Sequence, residues 1–490
     1  MRSKLLALAL VTLGATQALS GCAWLLASPQ PEAPRRSALP PVPTPSAEPT
    51  ARPFVLPAPS RVKLPNGLVA WSVRRRHLPL VTVRLVVRAG ERHEESRFAG
   101  TAAITAELLR RGAGARDARQ YQAALDATGG RFAFEAGPDA TVITATVLRR
   151  DLDLAVSLLA DAVQDPWFEV QELAEVCREH QADIDGLRDD GDALADTLLR
   201  HVVLRGHPYG RLPSRRAIDA LMRRDVRRFH RSWFRPERTH LTIVGDVTAT
   251  EARQVVARRF GAWRRHAAAQ REPGRQAPPK APTRMQVWVM DLAVSQSYIR
   301  LGTPLPARSK LAWHQVDALN FVLGGDFTSR LNLELRDRQG LAYGAYSRFE
   351  AWREAGLLSA RVNTRTESTR RAVDRLLAVV RGLRRTAPSR DEAETARRYL
   401  SGSFPMRFET NAALAEEFSD LALCGLPEAA VAGYREALRG VTPGSLYRQA
   451  RAYVPDQGLH LVVVGPAGKI VPALRGLGDV KVLRRDEAFR

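Results

Sequence analysis

An internal duplication sets the narrowest limits on how this chain folds. Residues 229–246 read FHRSWFRPERTHLTIVGD, and residues 446–466 read LYRQARAYVPDQGLHLVVVGP. Each stretch predicts a helix, a turn at a proline and a buried strand that ends at a glycine. The matched positions are Pro236 with Pro455, His240 with His460, and Gly245 with Gly465. Because the same order recurs at nearly constant spacing, we predict two copies of one folding unit.

The stretches that precede each block predict a mixture of strands and helices. In the first copy, the apolar patterns indicate strands within 81–90 and 131–147 and helices over 100–110, 152–166 and 171–188. In the second copy, they indicate strands near 286–301 and 355–363 and a helix at 311–323. We therefore expect an α+β fold of two duplicated domains, each a mostly antiparallel sheet packed with helices.

Changes in composition divide the chain further. Residues 27–60 are rich in Pro, Ala and Ser, which is typical of an extended tether, and REPGRQAPPKAPTR (271–284) separates the two copies. We predict a signal peptide (1–21), a tether (22–60), an N-terminal domain (61–266), a linker (267–284) and a C-terminal domain (285–490).

The N-terminus predicts export and lipidation. A basic start, an apolar stretch and small residues precede Cys22, and the stretch is too short to span a membrane. The ending Leu19-Ser20-Gly21-Cys22 resembles a bacterial lipobox, so we expect a lipid anchor on Cys22; ordinary cleavage that leaves a free cysteine is the alternative. The residue after Cys22 is Ala23 and not the aspartate of a retention signal. We expect the protein to be located in the cell envelope, anchored in the outer membrane and facing the periplasm.

The composition bears on possible partners. The chain has 45% hydrophobic residues, which excludes wholesale disorder, and a formal net charge of +22. Its arginines are scattered through predicted helices without interleaved aromatic residues, a pattern typical of solvated faces. We therefore expect no nucleic acid partner, and only weak attraction to anionic lipid or acidic peptides.

Several further motifs accompany the duplicated blocks. They are GERHE (90–94), HPYG (207–210) and LGGDFTSRLNLELRDRQGLAYGAYS (323–347). From about Val62 to Val482 the chain resembles the pitrilysin/insulinase family, whose two-chain bacterial members are similar to the mitochondrial processing peptidase. In active members of this family, the first helix carries H-x-x-E-H. Two histidines hold zinc, the glutamate polarises the attacking water, and a later helix supplies a carboxylate ligand.

The resemblance implies that this zinc motif is degenerate. It places Ala103, Ala106 and Glu107 at the three motif positions, and Asp183 at the position of the later carboxylate. Two imidazoles and the general base are missing, and Glu107 with Asp183 cannot build a tetrahedral zinc site. We therefore expect no bound cofactor and no peptidase activity of this chain alone.

Another set of residues keeps a metal site open as an alternative. Cys177, His180 and Asp183 are spaced three apart on one predicted helix and could share a face. A divergent zinc metalloendopeptidase would then use unorthodox ligands that include His180 and Asp183. The simpler interpretation is a surface pair of His180 and Asp183 beside a core Cys177.

The second-half motif LRDRQGLAY is unbroken. The resemblance implies that Arg336 holds a substrate carbonyl and Tyr343 stabilises the oxyanion, while Gly324 and Gly325 let the substrate backbone approach. Alternatively, Arg336 caps a helix and Tyr343 begins a strand.

The first half lacks the zinc motif, whereas the second-half motif is intact. In this combination the chain resembles the non-catalytic subunit of a heterodimeric peptidase. Such a subunit binds a peptide or unfolded protein beside a catalytic homologue. A purely structural scaffold that binds no peptide is the remaining hypothesis.

Overall fold

The computed structural model describes residues 55–264 and 272–484. The predicted signal peptide, Cys22 and most of the predicted tether lie outside the described residues. Within the described residues, none of the helices is both long enough and apolar enough to span a bilayer.

The first sheet has six strands. They are β1 (Ser60–Lys63), β2 (Val69–Arg74), β3 (Leu80–Val87), β4 (Arg131–Ala136), β5 (Thr141–Leu148) and β6 (Thr239–Gly245). Their order across the sheet is β1-β2-β6-β3-β5-β4, and only β2 and β6 are parallel neighbours.

The second sheet also has six strands. They are β7 (Gln286–Asp291), β8 (Gln296–Pro306), β9 (Ala345–Ala351), β10 (Ala355–Arg365), β11 (His460–Gly465) and β12 (Asp479–Leu483). Their order is β12-β7-β11-β8-β10-β9, and β7 runs parallel to both β11 and β12.

The two sheets confirm the predicted duplication. Strands β2 to β6 and β7 to β11 share one order and one pattern of parallel and antiparallel neighbours. His240 stands at the start of the parallel ladder of the first sheet, and His460 stands at the start of the equivalent ladder of the second sheet. Gly245 and Gly465 stand at the ends of these two ladders. Both glycines have positive φ, +150° and +156°, and each closely approaches the backbone at the start of the next strand. A side chain would not fit there, which explains the shared glycine.

Helices cover both sheets. In the first half they are α1 (Thr101–Leu108), α2 (Ala118–Ala127), α3 (Leu152–Gln164), α4 (Val170–Asp189), α5 (Gly191–Val203), α6 (Arg215–Asp219), α7 (Arg223–Trp233) and α8 (Ala249–Phe260). In the second half they are α9 (Trp313–Asn320), α10 (Arg330–Asn332), α11 (Thr369–Arg385), α12 (Arg390–Ser403), α13 (Asn411–Cys424), α14 (Ala429–Ala432), α15 (Tyr434–Leu438), α16 (Pro443–Tyr453) and α17 (Ala467–Ala473). Two π-helical turns, Phe321–Gly325 and Leu333–Arg338, flank α10. The fold class is the predicted α+β arrangement.

The second half differs in detail from the sequence expectation. The strand expected near 286–301 is two strands, because the chain turns between Leu292 and Gln296. The apolar character of the sequence continues through this turn, so hydrophobicity did not mark it. Strand β9 was not predicted.

The two halves exchange a helix. Helix α5 of the first half packs on β8 and β11, and α13 of the second half packs on β3 and β6. On the α5 side, Arg300 of β8 is fully buried, forms an ion pair with Asp196 and lies 2.8 Å from a carboxylate oxygen of Asp192. On the α13 side, the Ser419 hydroxyl lies 3.1 Å from that of Thr242 in β6. Each sheet is therefore covered in part by the other half.

The segment between the halves is also fixed to both of them. Glu272 accepts a hydrogen bond from Arg92 at 2.7 Å and forms an ion pair with Arg238. Arg92 in turn donates to Glu354 of the second half at 2.6 Å, where both side chains are almost fully buried. Arg92 thus joins the first half both to the linker, through Glu272, and to the second half, through the buried Glu354.

Candidate functional site

Helix α1, the helix at the degenerate motif, begins at an anchored turn. Gly100 precedes it with φ of +105°, in the left-handed region that favours glycine. The buried carboxylate of Glu94 accepts the backbone N–H groups of Gly100 at 3.1 Å and Ala102 at 2.8 Å. Glu94 therefore satisfies two donors that the first turn of a helix leaves without intrahelical partners.

A cavity of about 310 Å³ lies beside α1. Ala103 lines it, together with His180 and Asp183 of α4, Thr197, Arg200 and His201 of α5, and the segment Arg211–Pro213. Of the sequence-predicted positions, the structure brings together Ala103, Asp183 and His180. Ala106 instead points into the core, where it is 1% exposed.

Glu107 does not line the cavity. Its carboxylate accepts a hydrogen bond from Arg110 at 2.7 Å and lies 3.4 Å from Arg111. Arg111 also donates to Glu179 of α4 at 2.9 Å and lies 3.6 Å from Glu172. An arginine thus links α1 to α4 through carboxylates on both helices.

Burial shifts the pKa values of three titratable groups in the cavity wall. Burial raises the pKa of Glu94 to about 8, against the two backbone hydrogen bonds that it accepts. Burial also raises the pKa of Glu91, although Arg200 forms an ion pair with it. The pKa of His201 is lowered by burial, which favours the neutral ring. Burial therefore favours the uncharged forms of Glu91, Glu94 and His201 in this wall.

The residues at this site do not fit zinc. Ala103 and Ala106 have no donor atom in their side chains, and the Glu107 carboxylate is engaged by two arginines. Across the described residues, no group of three or more His, Cys, Asp or Glu side chains is arranged to hold a metal ion.

The alternative ligand set is only partly assembled. His180 and Asp183 line the cavity, but Cys177 does not; its half-buried side chain packs against the first-half core. Burial raises the pKa of the Cys177 thiol, which disfavours the thiolate that a metal requires.

A second cavity, of about 570 Å³, adjoins the first. Gly324 and Gly325 line it, with side chains of α5, β9 and β10. Thr197 and Arg200 of α5 line both cavities, so the two share a wall. A side chain on either glycine would also collide with the protein itself, since a Cβ on Gly324 would lie 2.5 Å from the Ser347 nitrogen. The absence of a side chain here already serves the packing of the second half.

Arg336 and Tyr343 line neither cavity. Arg336 lies in the π-helical turn Leu333–Arg338, and its guanidinium stacks 3.9 Å from the centre of the Phe327 ring. Tyr343 is 97% exposed and lies two residues before the start of β9. Both side chains are on or near the surface and accessible to another molecule.

Sequence reasoning missed Arg200 as a site residue. Its Nε donates to the Tyr209 carbonyl oxygen at 2.6 Å, its guanidinium binds Glu91, and it lies 5.5 Å from the centre of the Trp352 ring. The available signal was indirect, because HPYG and GERHE were recognised as motifs and each supplies one of these partners.

Sequence comparison relates the chain to peptidase family models and to uncharacterized proteases. The family model described as Insulinase (Peptidase family M16) matches residues 72–211, and that described as Peptidase M16 inactive domain matches residues 220–400. An uncharacterized zinc protease of Mycobacterium leprae is 31% identical over 306 residues, which cover 61% of this chain and 67% of that protein. An uncharacterized zinc protease of Mycobacterium tuberculosis strain H37Rv is 32% identical over 313 residues, covering 62% and 69%.

Solved structures show the same fold. A peptidase M16 inactive domain from Pseudomonas fluorescens superposes with a TM-score of 0.76 at 22% identity, covering 83% of this chain and 98% of its own. A protease from Helicobacter pylori superposes with a TM-score of 0.77 at 20% identity, covering 84% and 100%.

Proposed function

The chain belongs to the insulinase family, peptidase family M16, and we propose that it is a non-catalytic peptidase subunit. In this role it binds a peptide or unfolded protein and completes the active site of a catalytic homologue that carries H-x-x-E-H.

One observation carries the proposal. The helix at the metal-binding position of the family presents Ala103 to an open cavity, and that cavity shares a wall with a second one from the other half. The chain thus combines space for a ligand with the loss of the groups that would cleave it. Half-buried Arg336 and exposed Tyr343 support an electrostatic contribution to a site on the partner.

Mixing experiments test this function. Purified chain added to a homologue with H-x-x-E-H should raise peptide hydrolysis well above either protein alone. Arg336→Ala or Tyr343→Phe should lower the turnover of the pair by about tenfold to a thousandfold, the range for one lost contact to a transition state. Complex formation should survive both changes, because an interface of this kind is large.

Matched variants control for surface changes. Arg338→Ala removes an arginine from the same π-helical turn, and Tyr399→Phe removes a hydroxyl from another exposed tyrosine. Both should leave turnover unchanged. Full activity of the Arg336→Ala/Tyr343→Phe double variant in the assembled pair would reject catalytic support and favour a scaffold.

A divergent zinc peptidase is the second candidate. Two observations favour it: the relatives are called zinc proteases, and His180 and Asp183 both line the cavity. Metal analysis separates the candidates. About one tightly bound zinc per purified chain, lost in His180→Ala, would favour the enzyme, whereas substoichiometric zinc and a melting temperature unaffected by chelators would favour the subunit.

The proposal includes a lipid anchor on Cys22 that holds the protein in the cell envelope, at the outer membrane facing the periplasm. Labelled fatty acid should appear on the mature protein and be absent from Cys22→Ser. Label that persists in that variant would show that the anchor is elsewhere.

A further inference from the structure

The duplication gives the second half a cavity equivalent to the one beside α1. This second-half cavity has a volume of about 250 Å³ and lies beside the start of α9, among α13, α14 and α15. Glu417 and Leu421 of α13 line it at the positions that Thr197 and His201 of α5 hold in the first-half cavity. The spacing within each pair is that of the glycines that end the repeated strands. The two cavities therefore derive from one ancestral feature, but their walls differ in chemistry.

The wall of the second-half cavity is mostly apolar. Aromatic rings of Trp313, Phe404 and Tyr434 and aliphatic side chains of Leu421, Leu426 and Val431 line it. The rings of Phe404 and Tyr434 stack on each other with their centres 4.8 Å apart. Pockets for drug-sized ligands measure roughly 300–1,000 Å³, so this cavity suits a smaller molecule with an apolar body.

Four titratable side chains complete the wall: Arg308, His314, Arg407 and Glu417. Arg407 lies 3.6 Å from a carboxylate oxygen of Asp317 and 3.9 Å from one of Glu417. Burial lowers the pKa of His314 and raises that of Glu417, so it favours the uncharged form of both side chains. Arg407 thus has carboxylate neighbours, whereas Arg308 does not.

Arg308 is the cation that the protein leaves open to a ligand. Its half-buried guanidinium lies 3.7 Å from the centre of the Trp313 ring. Among the described residues, no carboxylate lies within ion-pair distance of it, and Asp317 and Glu417 act on it only over a longer range. An arginine that stacks on an aromatic ring keeps its in-plane N–H donors for an anion.

We infer that the second-half cavity binds a small acid, whose apolar body lies against the aromatic rings and whose carboxylate pairs with Arg308. Aliphatic and aromatic acids share this chemistry. The inference goes beyond the proposed function, since it requires neither a bound peptide nor a catalytic partner.

Calorimetric titration of the purified full-length protein tests the inference. The probes are octanoate and 4-phenylbutyrate, each compared with the alcohol and the amine of the same carbon skeleton. A charge-assisted pair with Arg308 should make each acid bind about 10- to 100-fold more tightly than its alcohol, and the amines should bind most weakly. The tighter of the two acids shows whether the site takes an aliphatic or an aromatic body.

Substitution of Arg308 tests the carboxylate contact. Arg308→Met should reduce the affinity for each acid to that for its alcohol and leave the alcohol affinity unchanged. Arg308→Glu should reverse the preference towards the amine, a gain of binding that misfolding would not produce. Arg439→Met is the matched control, because Arg439 is 76% exposed, pairs with Glu436 and lies outside the cavity. It should bind the probes as wild type does.

A second pair of variants tests the location. Ala437→Leu extends a half-buried side chain of α15 into the cavity and should weaken the acid and the alcohol alike, by about tenfold or more. Ala432→Leu makes the same change at an exposed position of α14 outside the cavity and should have no effect.

Three results would overturn the inference. The first is that neither acid binds. The second is that acids and alcohols bind wild type with equal affinity. The third is that Ala432→Leu weakens binding as much as Ala437→Leu does.

Discussion

At the level of single residues, the duplication places a histidine at the start of each repeated strand, half-buried at His240 and buried at His460. His460 is 9% exposed, and the His240 ring meets Trp71 edge to face at 4.7 Å. Burial lowers the pKa of both imidazoles to about 4 from the ordinary value of 6.5. Both rings are therefore neutral in the folded protein at pH 7, while an unfolded chain takes up their protons once the pH falls below 6.5.

We predict that His460 contributes to acid sensitivity. A folded pKa below the unfolded one gives stability that is complete above pH 6.5 and is lost as the pH falls towards 4. Between pH 7 and pH 4, wild type should lose about 3 kcal/mol of unfolding free energy relative to His460→Gln. Denaturant unfolding of both proteins at several pH values measures this difference.

His77→Gln is the matched control, because His77 is exposed. Its stability relative to wild type should change little over the same pH range. A wild-type to His460→Gln difference that stays constant with pH would contradict the burial argument.

At the level of elements, Arg111 connects two helices that meet at the candidate site. It follows α1 in the chain and reaches Glu107, Glu172 and Glu179, the last two on α4. Its side chain is 21% exposed, so solvent screens these contacts only in part. The contacts form a network rather than an isolated surface pair.

Arg111→Met should therefore lower the unfolding free energy by about 1–2 kcal/mol, and less so at high salt. Arg110→Met, on the neighbouring residue, removes an arginine that pairs with Glu107 and is 40% exposed. It should cost no more than about 0.5 kcal/mol. Equal costs for the two substitutions, measured by urea unfolding, would mean that the network adds nothing beyond a surface pair.

The sequence was sufficient to predict several elements, whereas the degenerate motif stays a prediction that the family resemblance implies. The helix before each strand, the turn at proline and the closing glycine are local patterns, and so is alanine at positions 103 and 106. The exchange of α5 and α13 was not predicted, because an apolar helix face does not indicate which sheet it will cover. The cavity was not predicted either, since Leu187 and Leu212 look like ordinary apolar residues until the fold brings them together.

At the level of the whole molecule, the helix exchange means that neither half can complete its own core. The described residues, 55–264 and 272–484, form one compact unit, and α5 and α13 each cover the sheet of the other half. Removal of one half would expose the apolar faces of β3 and β6, or of β8 and β11, to water.

We predict that residues 55–264 and 272–484 do not fold separately but assemble when co-expressed. Each half alone should aggregate or lack cooperative unfolding, whereas the co-expressed halves should co-elute at the size of the intact protein. Size-exclusion chromatography and thermal unfolding measure both outcomes. A single half that is monomeric and unfolds cooperatively would show that the exchanged helices are dispensable.

The helix exchange also delays completion of the first half during synthesis. The first sheet is complete in sequence at Gly245, but the helix that covers β3 and β6 does not begin until Asn411. At ribosomal rates of about 5–20 residues per second, the interval is roughly ten to thirty seconds. During that time the nascent chain carries a sheet face with no native cover, which exposes it to aggregation until α13 has been made.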